Sequence, residues 1–182
     1  MTTLQGKVAL VTGASRGIGR AIALAFGQAG ASVVATARSA DQLTSLVEEI
    51  QATGAEALAV PADLADHSQI QPIVDAALTR FRRIDILVNN AAIIHPPIHL
   101  VDFDPALWQR VLDVNLTAAA LLTKAVLPTM MNQGSGRIIN ISSIGGRRGG
   151  RGRSAYRVTK AALISLTESV AAEVKEHGID VN

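Results

Sequence analysis

Short apolar runs alternate with longer segments of helical periodicity along the sequence. The runs at 8–11, 32–37, 56–60, 84–88, 137–141 and 179–181 are bounded by turn residues, which is typical of buried parallel strands. Between them, apolar residues recur at the spacing of amphipathic helices. The alternation predicts an α/β fold of the Rossmann type, with a doubly wound parallel sheet in a single domain spanning residues 1–182.

Turn and capping residues mark the ends of the predicted helices. Ser39 and Gln42 have the spacing of a capping box, and Pro128 is expected to kink or end the helix that starts near residue 105. Because crossovers are right-handed, ligands of such a sheet bind at the carboxyl ends of its strands. The polar residues that follow the predicted strands are therefore candidates for a binding site.

A glycine-rich turn joins the first predicted strand to the first predicted helix. Gly13, Gly17 and Gly19 stand there at positions i, i+4 and i+6. In dinucleotide-binding units the first glycine permits the turn, the second lets a pyrophosphate approach the backbone, and the third lets helix and strand pack closely. The phosphates then lie against free N–H groups at the helix N-terminus. We therefore expect a bound dinucleotide cofactor rather than an ordinary turn.

Composition excludes some functions without identifying one. The chain is 48% hydrophobic, carries a net charge of +2 and has no Cys. Balanced charge offers no argument for nucleic-acid or membrane binding, and the lack of Cys excludes thiol catalysis and thiolate metal sites. The N-terminal residues lack a signal-peptide pattern, and Lys124 interrupts the longest apolar run, so we expect a soluble cytoplasmic protein without a membrane span. His95 and His99 lack neighbouring carboxylates, and we expect no metal site.

A second signal comes from three residues in the last third of the chain. Ser143 follows the fifth predicted strand, and Tyr156 and Lys160 are four residues apart, on one face of the last predicted helix. A phenol ordinarily titrates near pH 10, and a neighbouring ammonium favours its ionised form. The pair is common by chance, but Tyr156 is the only tyrosine in the chain. We therefore interpret the three residues as a catalytic group.

With Asp63, Asn89-Asn90-Ala91 and Asn115, these motifs resemble the short-chain dehydrogenase/reductase family over the whole chain. The resemblance implies that Tyr156 is the general acid/base, that Ser143 binds the substrate oxygen, and that Lys160 holds the cofactor ribose. The implied reaction is hydride transfer between a nicotinamide and a carbonyl or secondary alcohol, with a small-molecule partner and no nucleic acid.

Further roles also follow only from the resemblance. Asn115 would anchor a water in a proton relay to Lys160, Asp63 would contact the adenine, and Asn89 would hold the loop beside the cofactor. The expected catalytic residues are Asn115, Ser143, Tyr156 and Lys160. The expected cofactor-binding residues are Gly13, Ser15, Arg16, Gly17, Ile18, Gly19, Arg38, Asp63, Leu64, Asn89, Ala91, Tyr156 and Lys160.

Charge at the end of the second strand favours NADP(H) over NAD(H). An acidic residue there would bind a ribose 2′-hydroxyl and repel a 2′-phosphate. This chain instead has Arg38, with Arg16 in the glycine turn, and two guanidinium groups suit a phosphate. The alternative is that both are solvated surface residues, and Asp41 weakens the prediction. NADP(H) would imply reduction as the physiological direction.

Two departures from the family pattern lead to further expectations. Ala92 replaces the usual glycine after Asn-Asn-Ala; its methyl group could crowd the cofactor or, if φ there is positive, cost about 1 kcal/mol, but we expect the loop to tolerate it. The family pattern also continues beyond residue 182 with a substrate loop and a last strand. We therefore expect weak cofactor binding and slow turnover from residues 1–182. An alternative function is that of a cofactor-binding but catalytically impaired interaction or regulatory subunit.

Four arginines lie in the glycine-rich segment between Ser143 and Tyr156, at positions 147, 148, 151 and 153. Three interpretations remain open for this segment, which is expected at the rim of the pocket. It could capture an anionic substrate, bind nucleic acid as RGG segments do, or be a flexible solvated loop.

Two long predicted helices, 106–131 and 154–177, carry apolar residues on more than one face. A helix on one side of a sheet needs only one apolar stripe. The surplus predicts a helix-to-helix interface, and the resemblance implies a homodimer or homotetramer through these helices; a crowded monomer surface is the alternative. The two rows on the first helix are Leu116, Ala119, Leu122 and Val126, and Val111, Ala118, Leu121 and Ala125.

Overall fold

Six parallel strands form one sheet, in the order β3-β2-β1-β4-β5-β6. The computed structural model describes residues 3–182. The strand bounds agree with the sequence-based ones to within about two residues. The strands are β1 (Val8–Thr12), β2 (Ser32–Ala37), β3 (Ala57–Pro61), β4 (Ile86–Asn89), β5 (Gly136–Asn140) and β6 (Ile179–Val181).

Helices connect the strands as crossovers and cover both sides of the sheet. They are α1 (Gly17–Gln28), α2 (Ala40–Ala52), α3 (Ile70–Phe81), α4 (Pro105–Leu112), α5 (Ala118–Gln133) and α6 (Ser154–Val174). A π-helical turn, Asp113–Thr117, joins α4 to α5. Short 3₁₀ turns occupy His67–Gln69, Leu100–Asp102, Ile144–Gly146 and Lys175–His177.

Two apolar layers hold the helices to the sheet. Alternate residues of each strand face opposite sides, so Ala9 and Val11 pack toward α1 and α2, while Val8 and Leu10 pack toward α3, α5 and α6. Every β1 residue is buried, as expected for the central strand of a parallel sheet. The predicted doubly wound fold is therefore confirmed.

Two details of the predicted helices differ from the structure. Ser39 is the N-cap of α2, but its side chain accepts no capping hydrogen bond, so the capping box does not form. Pro128 lies inside α5, which continues to Gln133. The irregularity falls instead at the π turn around Asn115, one of the predicted catalytic residues. Such bulges often occur at functional sites.

The apolar surplus of the long helix is used mostly inside the chain. Most residues of the two predicted rows pack into the core. The buried ones are Val111, Ala118, Ala119, Leu122 and Val126, and the partly buried ones include Leu121 and Ala125. The apolar residues of this helix therefore give only weak support for the predicted helix-to-helix interface between subunits. By length and composition alone, the continuous segment Pro105–Gln133 could cross a membrane, contrary to the expectation that no segment could. A core helix of a soluble protein passes the same test, and its most apolar window is 44% buried in this fold.

Candidate active site

A cleft of about 730 Å³ lies at the carboxyl ends of the strands. It is centred where the strand order reverses, between β1 and β4, the place where open α/β sheets bind ligands. The residues expected from the sequence that line it are Gly13, Ser15, Arg16, Gly17, Ile18, Arg38, Asp63, Leu64, Ala91, Ser143, Tyr156 and Lys160. Gly19, Asn89 and Asn115 do not line it.

The glycine turn has the geometry of a phosphate-binding loop. Gly13 and Gly17 both have positive φ, at 63° and 59°. A side chain on Gly17 would meet nothing within 4 Å, so the backbone there is open to a ligand. A Cβ on Gly19 would lie 2.4 Å from the Gly13 carbonyl oxygen and from the Asn90 side-chain nitrogen, so Gly19 packs α1 against the turn. The roles predicted for Gly17 and Gly19 fit this geometry.

The first turn of α1 offers hydrogen-bond donors to the cleft. Its N-cap residue, Arg16, provides no side-chain cap, so no side chain satisfies the first backbone N–H groups of the helix. An anionic group is stabilised at such a position by these N–H groups and by the helix dipole. The open backbone at Gly17 and the uncapped helix therefore fit the pyrophosphate of a dinucleotide.

Asn90, rather than Asn89, holds the loop after β4 to the glycine turn. The Asn90 side chain donates to the carbonyl oxygens of Thr12 (2.9 Å) and Gly13 (3.3 Å). The buried Thr12 hydroxyl accepts from the N–H groups of Asn90 and Ala91, at 2.9 and 3.0 Å. Asn89 instead points into the fold, where its amide donates to Asn140 at 2.9 Å. The loop-holding role expected of Asn89 therefore belongs to its neighbour.

Tyr156 and Lys160 reach the cleft from the same face of α6. The Lys160 amine is 5.8 Å from the centroid of the Tyr156 ring and donates to the carbonyl oxygen of Ile141 at 2.5 Å. Burial disfavours the charged form and lowers the pKa of Lys160 from 10.5 to about 8. The predicted juxtaposition of phenol and amine in the cleft is present.

Ser143 follows the carboxyl end of β5 and lies close to the same phenol. Its hydroxyl oxygen accepts from the Gly145 N–H at 3.1 Å, which orients the side chain at the start of a 3₁₀ turn. A Cβ built on Gly145 would lie 3.4 Å from the Ser143 oxygen and 3.7 Å from a ring carbon of Tyr156. Both side chains therefore lie next to Gly145, and both line the cleft.

Asn115 positions two walls of the cleft without lining either. Its side-chain oxygen accepts from the Ile93 N–H at 2.7 Å, and its nitrogen donates to the Ile93 carbonyl at 3.1 Å and to Thr159 at 3.2 Å. Thr159 in turn donates to the Tyr156 carbonyl at 2.8 Å. The π turn thus connects the loop after β4 to α6. A water-anchoring role for Asn115 stays a prediction, since its side chain is engaged within the protein.

Charged residues gather at the other end of the cleft, where α4 faces β2 and β3. Arg110 donates to the Asp63 carboxylate at 2.7 Å, and Arg38 lies nearby. Partial burial opposes ionisation of Asp63, but the hydrogen bonds from Arg110 and from the Ala65 N–H, with the charge of Arg38, outweigh it and hold the pKa of Asp63 below its ordinary value. Arg110 also lines the cleft. It was not predicted as a site residue, because no pattern in the sequence places α4 opposite β3.

The arginine-rich segment is anchored beside the cleft rather than directed into it. None of Arg147, Arg148, Arg151 and Arg153 lines the cleft. Arg157 donates to the carbonyl oxygens of Arg148 and Gly149, and the Gly152 carbonyl accepts from the Ile98 N–H at 3.0 Å. These hydrogen bonds argue against the interpretation as a flexible loop. The position of the four arginines outside the cleft argues against direct capture of an anionic substrate.

Ala92 lines the cleft without backbone strain. Among residues 3–182, Arg82 is the one residue other than glycine with a positive φ. The backbone therefore tolerates Ala92, as expected, because the loop does not use the left-handed conformation there. The next two residues, Ile93 and Ile94, also line the cleft, and the Ile94 side chain is 64% exposed at the mouth of the cleft. These apolar residues were not predicted, because only the loop's path places them in the cleft.

Fold and site together define a dinucleotide-binding α/β protein with a tyrosine and a lysine in its cleft, and comparison with known proteins identifies the family. Residues 7–182 match the model of the short chain dehydrogenase family. The chain belongs to the short-chain dehydrogenase/reductase family of oxidoreductases, as the resemblance implied. A 3-oxoacyl-[acyl-carrier-protein] reductase of Synechocystis sp. is 45% identical over 183 residues, which cover 100% of this chain and 74% of that protein.

Solved structures agree with this assignment. A metagenomic short-chain oxidoreductase in complex with NADP is 41% identical, with a TM-score of 0.94 over 97% of this chain and 80% of that one. An NAD⁺-bound xylitol dehydrogenase is 33% identical, with a TM-score of 0.94 over 98% of this chain and 69% of that one. Proteins of this fold therefore bind either nicotinamide dinucleotide, and the choice depends on residues of the individual cleft.

Proposed function

We propose that the chain is an NADP(H)-dependent carbonyl reductase in which Tyr156 is the general acid. The observation that carries the proposal is that Ser143, Tyr156 and Lys160 line the same cleft as the glycine turn. A nicotinamide dinucleotide bound along the cleft supplies the hydride. The chain's own residues then bind the substrate oxygen and provide the proton.

The hydroxyl groups of Ser143 and Tyr156 donate hydrogen bonds to the carbonyl oxygen, where negative charge develops during reduction. Tyr156 transfers its proton to that oxygen as the alcohol forms. Lys160, fixed by the Ile141 carbonyl, places a positive charge beside the phenolate that remains. In the oxidative direction the same tyrosine would accept the proton.

NADP(H) is the favoured dinucleotide because the adenine end of the cleft is basic. Arg16, Arg38 and Arg110 line it, and its one carboxylate, Asp63, is paired with Arg110. The neighbour solved with NADP supports this choice, whereas the neighbour bound to NAD⁺ keeps NAD(H) as the alternative.

The substrate class proposed is a 3-oxoacyl thioester. The support comes from the 45%-identical relative, whose name is 3-oxoacyl-[acyl-carrier-protein] reductase. The exposed isoleucines at the mouth, Ile18 and Ile94, are suited to contact an acyl chain. Acetoacetyl thioesters should therefore be reduced faster than simple ketones of the same size.

The test is loss of NADPH absorbance with acetoacetyl-coenzyme A, for the wild type and for Tyr156→Phe. We expect the variant to lose about 10²–10⁴-fold in kcat, the usual contribution of a positioned acid. NADPH fluorescence should show binding within about twofold of wild type, because the ring remains. Ser165→Ala, on the exposed side of α6, is the matched control. Full activity of Tyr156→Phe would refute the mechanism, and NADPH binding by the wild type without any turnover would favour the impaired-subunit alternative.

The proposed assembly is a homodimer or homotetramer through α5 and α6. A groove between these helices is lined by apolar side chains that include Leu127, Met131 and Leu166. Light scattering during size-exclusion chromatography should give a dimer or tetramer mass for the wild type and a monomer mass for Leu127→Glu. A wild-type monomer at all concentrations would contradict this assembly.

A further inference from the structure

The pair formed by Arg110 and Asp63 is an unusual element of the cleft wall. Asp63 follows β3 and Arg110 lies on α4, forty-seven positions apart in sequence, yet their side chains bond at 2.7 Å. Both residues line the cleft, and both are partly exposed to it. Exposed ion pairs add little to stability, typically below about 1 kcal/mol. Stabilisation of the fold therefore does not adequately explain the pair of Arg110 and Asp63.

The charge of Asp63 matters because of where it lies. Asp63 is the one acidic residue among those that line the described cleft, and Arg38 is close enough to influence its ionisation. Arg38 is exposed and has no ion-pair partner of its own among residues 3–182. A carboxylate without compensation at this position would attract the Arg38 guanidinium and repel a phosphate bound to it.

We propose that Arg110 sets the dinucleotide preference of the cleft by masking the charge of Asp63, which leaves Arg38 available for the 2′-phosphate of NADP(H). This inference rests on the proposed function and deepens it. Arg110 acts here as a positioning residue, through Asp63, and does not need to touch the phosphate itself. It also places a specificity determinant on α4, outside the glycine turn and the end of β2.

Direct binding measures this preference without turnover. NADPH and NADH fluorescence titrations give the ratio of their dissociation constants for the wild type, Arg110→Gln, Arg110→Lys and the double variant Asp63→Asn/Arg110→Gln. We expect Arg110→Gln to reduce the preference for NADPH by about tenfold, and Arg110→Lys to retain most of it. The double variant should recover the wild-type ratio, even if both nucleotides bind more weakly, because the charge to be masked is gone.

A purely structural role gives a different pattern. If Arg110→Gln weakens both nucleotides equally, or if removing the Asp63 charge does not restore the ratio, the inference is overturned. Should Arg110→Gln not fold, Asp63→Asn alone decides, since it must raise the preference for NADPH by freeing Arg110 and Arg38 together. Failure of the wild type to bind either nucleotide would overturn the proposed function as well, and is recognisable because it does not depend on a variant.

Discussion

The two walls of the cleft are built in different ways. The wall formed by the turn between β1 and α1 consists of residues adjacent in sequence, and Gly17 and Gly19 each act through local backbone geometry. The adjoining wall, the loop after β4, depends also on side chains from other elements: Thr12 of β1 holds its start, and Asn115 of the π turn holds Ile93. A local motif can therefore be read directly from the sequence, whereas a braced loop depends on contacts made at long range.

The largest expected effect concerns Lys160, a buried residue of α6 that lines the same cleft as both walls. Its pKa is lowered from 10.5 to about 8 by burial, so between these values the unfolded chain binds more protons than the folded one. The free energy of unfolding of the ligand-free protein should therefore rise with pH in this window. The contribution from Lys160 is about 2–3 kcal/mol between about pH 7 and about pH 10.

Urea denaturation at both pH values measures this gain. Lys160→Met should lack it, while Lys124→Met, which removes an exposed amine, should retain it. Equal pH dependence in the wild type and Lys160→Met would mean that the amine is not buried as described.

The second prediction concerns the glycine turn between β1 and α1. Gly19→Ala should lower the free energy of unfolding by about 1–3 kcal/mol, because its Cβ meets backbone that cannot move aside easily. Gly149→Ala is the control, since a side chain there meets nothing within 4 Å and needs no positive φ. Chemical denaturation should show a clear loss for the first variant and little change for the second. A fully stable Gly19→Ala protein would contradict the close packing of α1 on the turn.

A smaller loss of stability is expected when the loop after β4 loses its contact with Asn115. Asn115→Ala leaves the Ile93 N–H and carbonyl group without their partner and should cost about 1–2 kcal/mol. Because the loop also lines the cleft, the KM for acetoacetyl-coenzyme A should rise while NADPH binding changes less. Asn132→Ala, at the exposed end of α5, is the control. An unchanged KM in Asn115→Ala would show that the loop keeps its position without this brace.

The smallest effect is expected from the arginine-rich segment. The double variant Arg148→Gln/Arg151→Gln should change the KM for acetoacetyl-coenzyme A by less than about twofold, because exposed charges off the cleft are screened by salt. A tenfold increase would instead support capture of an anionic substrate, one of the interpretations left open by the sequence.

Prediction from sequence was most successful where the information is local. Strand positions, the glycine turn and the pairing of Tyr156 with Lys160 follow from short-range periodicity and spacing, and the structure has all three. It was less successful at the cap of α2, at Pro128, and in the assignment of the loop-holding role to Asn89 instead of Asn90. For Asn90 the reason is a tertiary contact, because only the packing of the loop after β4 brings its side chain against Thr12 and Gly13.

Periodic burial and motif spacing are properties of the chain, so the order of amino acids was enough to predict the class of fold, the family and a set of candidate catalytic residues. Three-dimensional packing was needed to show that Arg110 faces Asp63, that Asn115 joins the loop after β4 to α6, and that the arginines at 147–153 stay outside the cleft. These are relations between residues from different elements. They depend on how helices and loops pack around the sheet, and no local pattern specifies them.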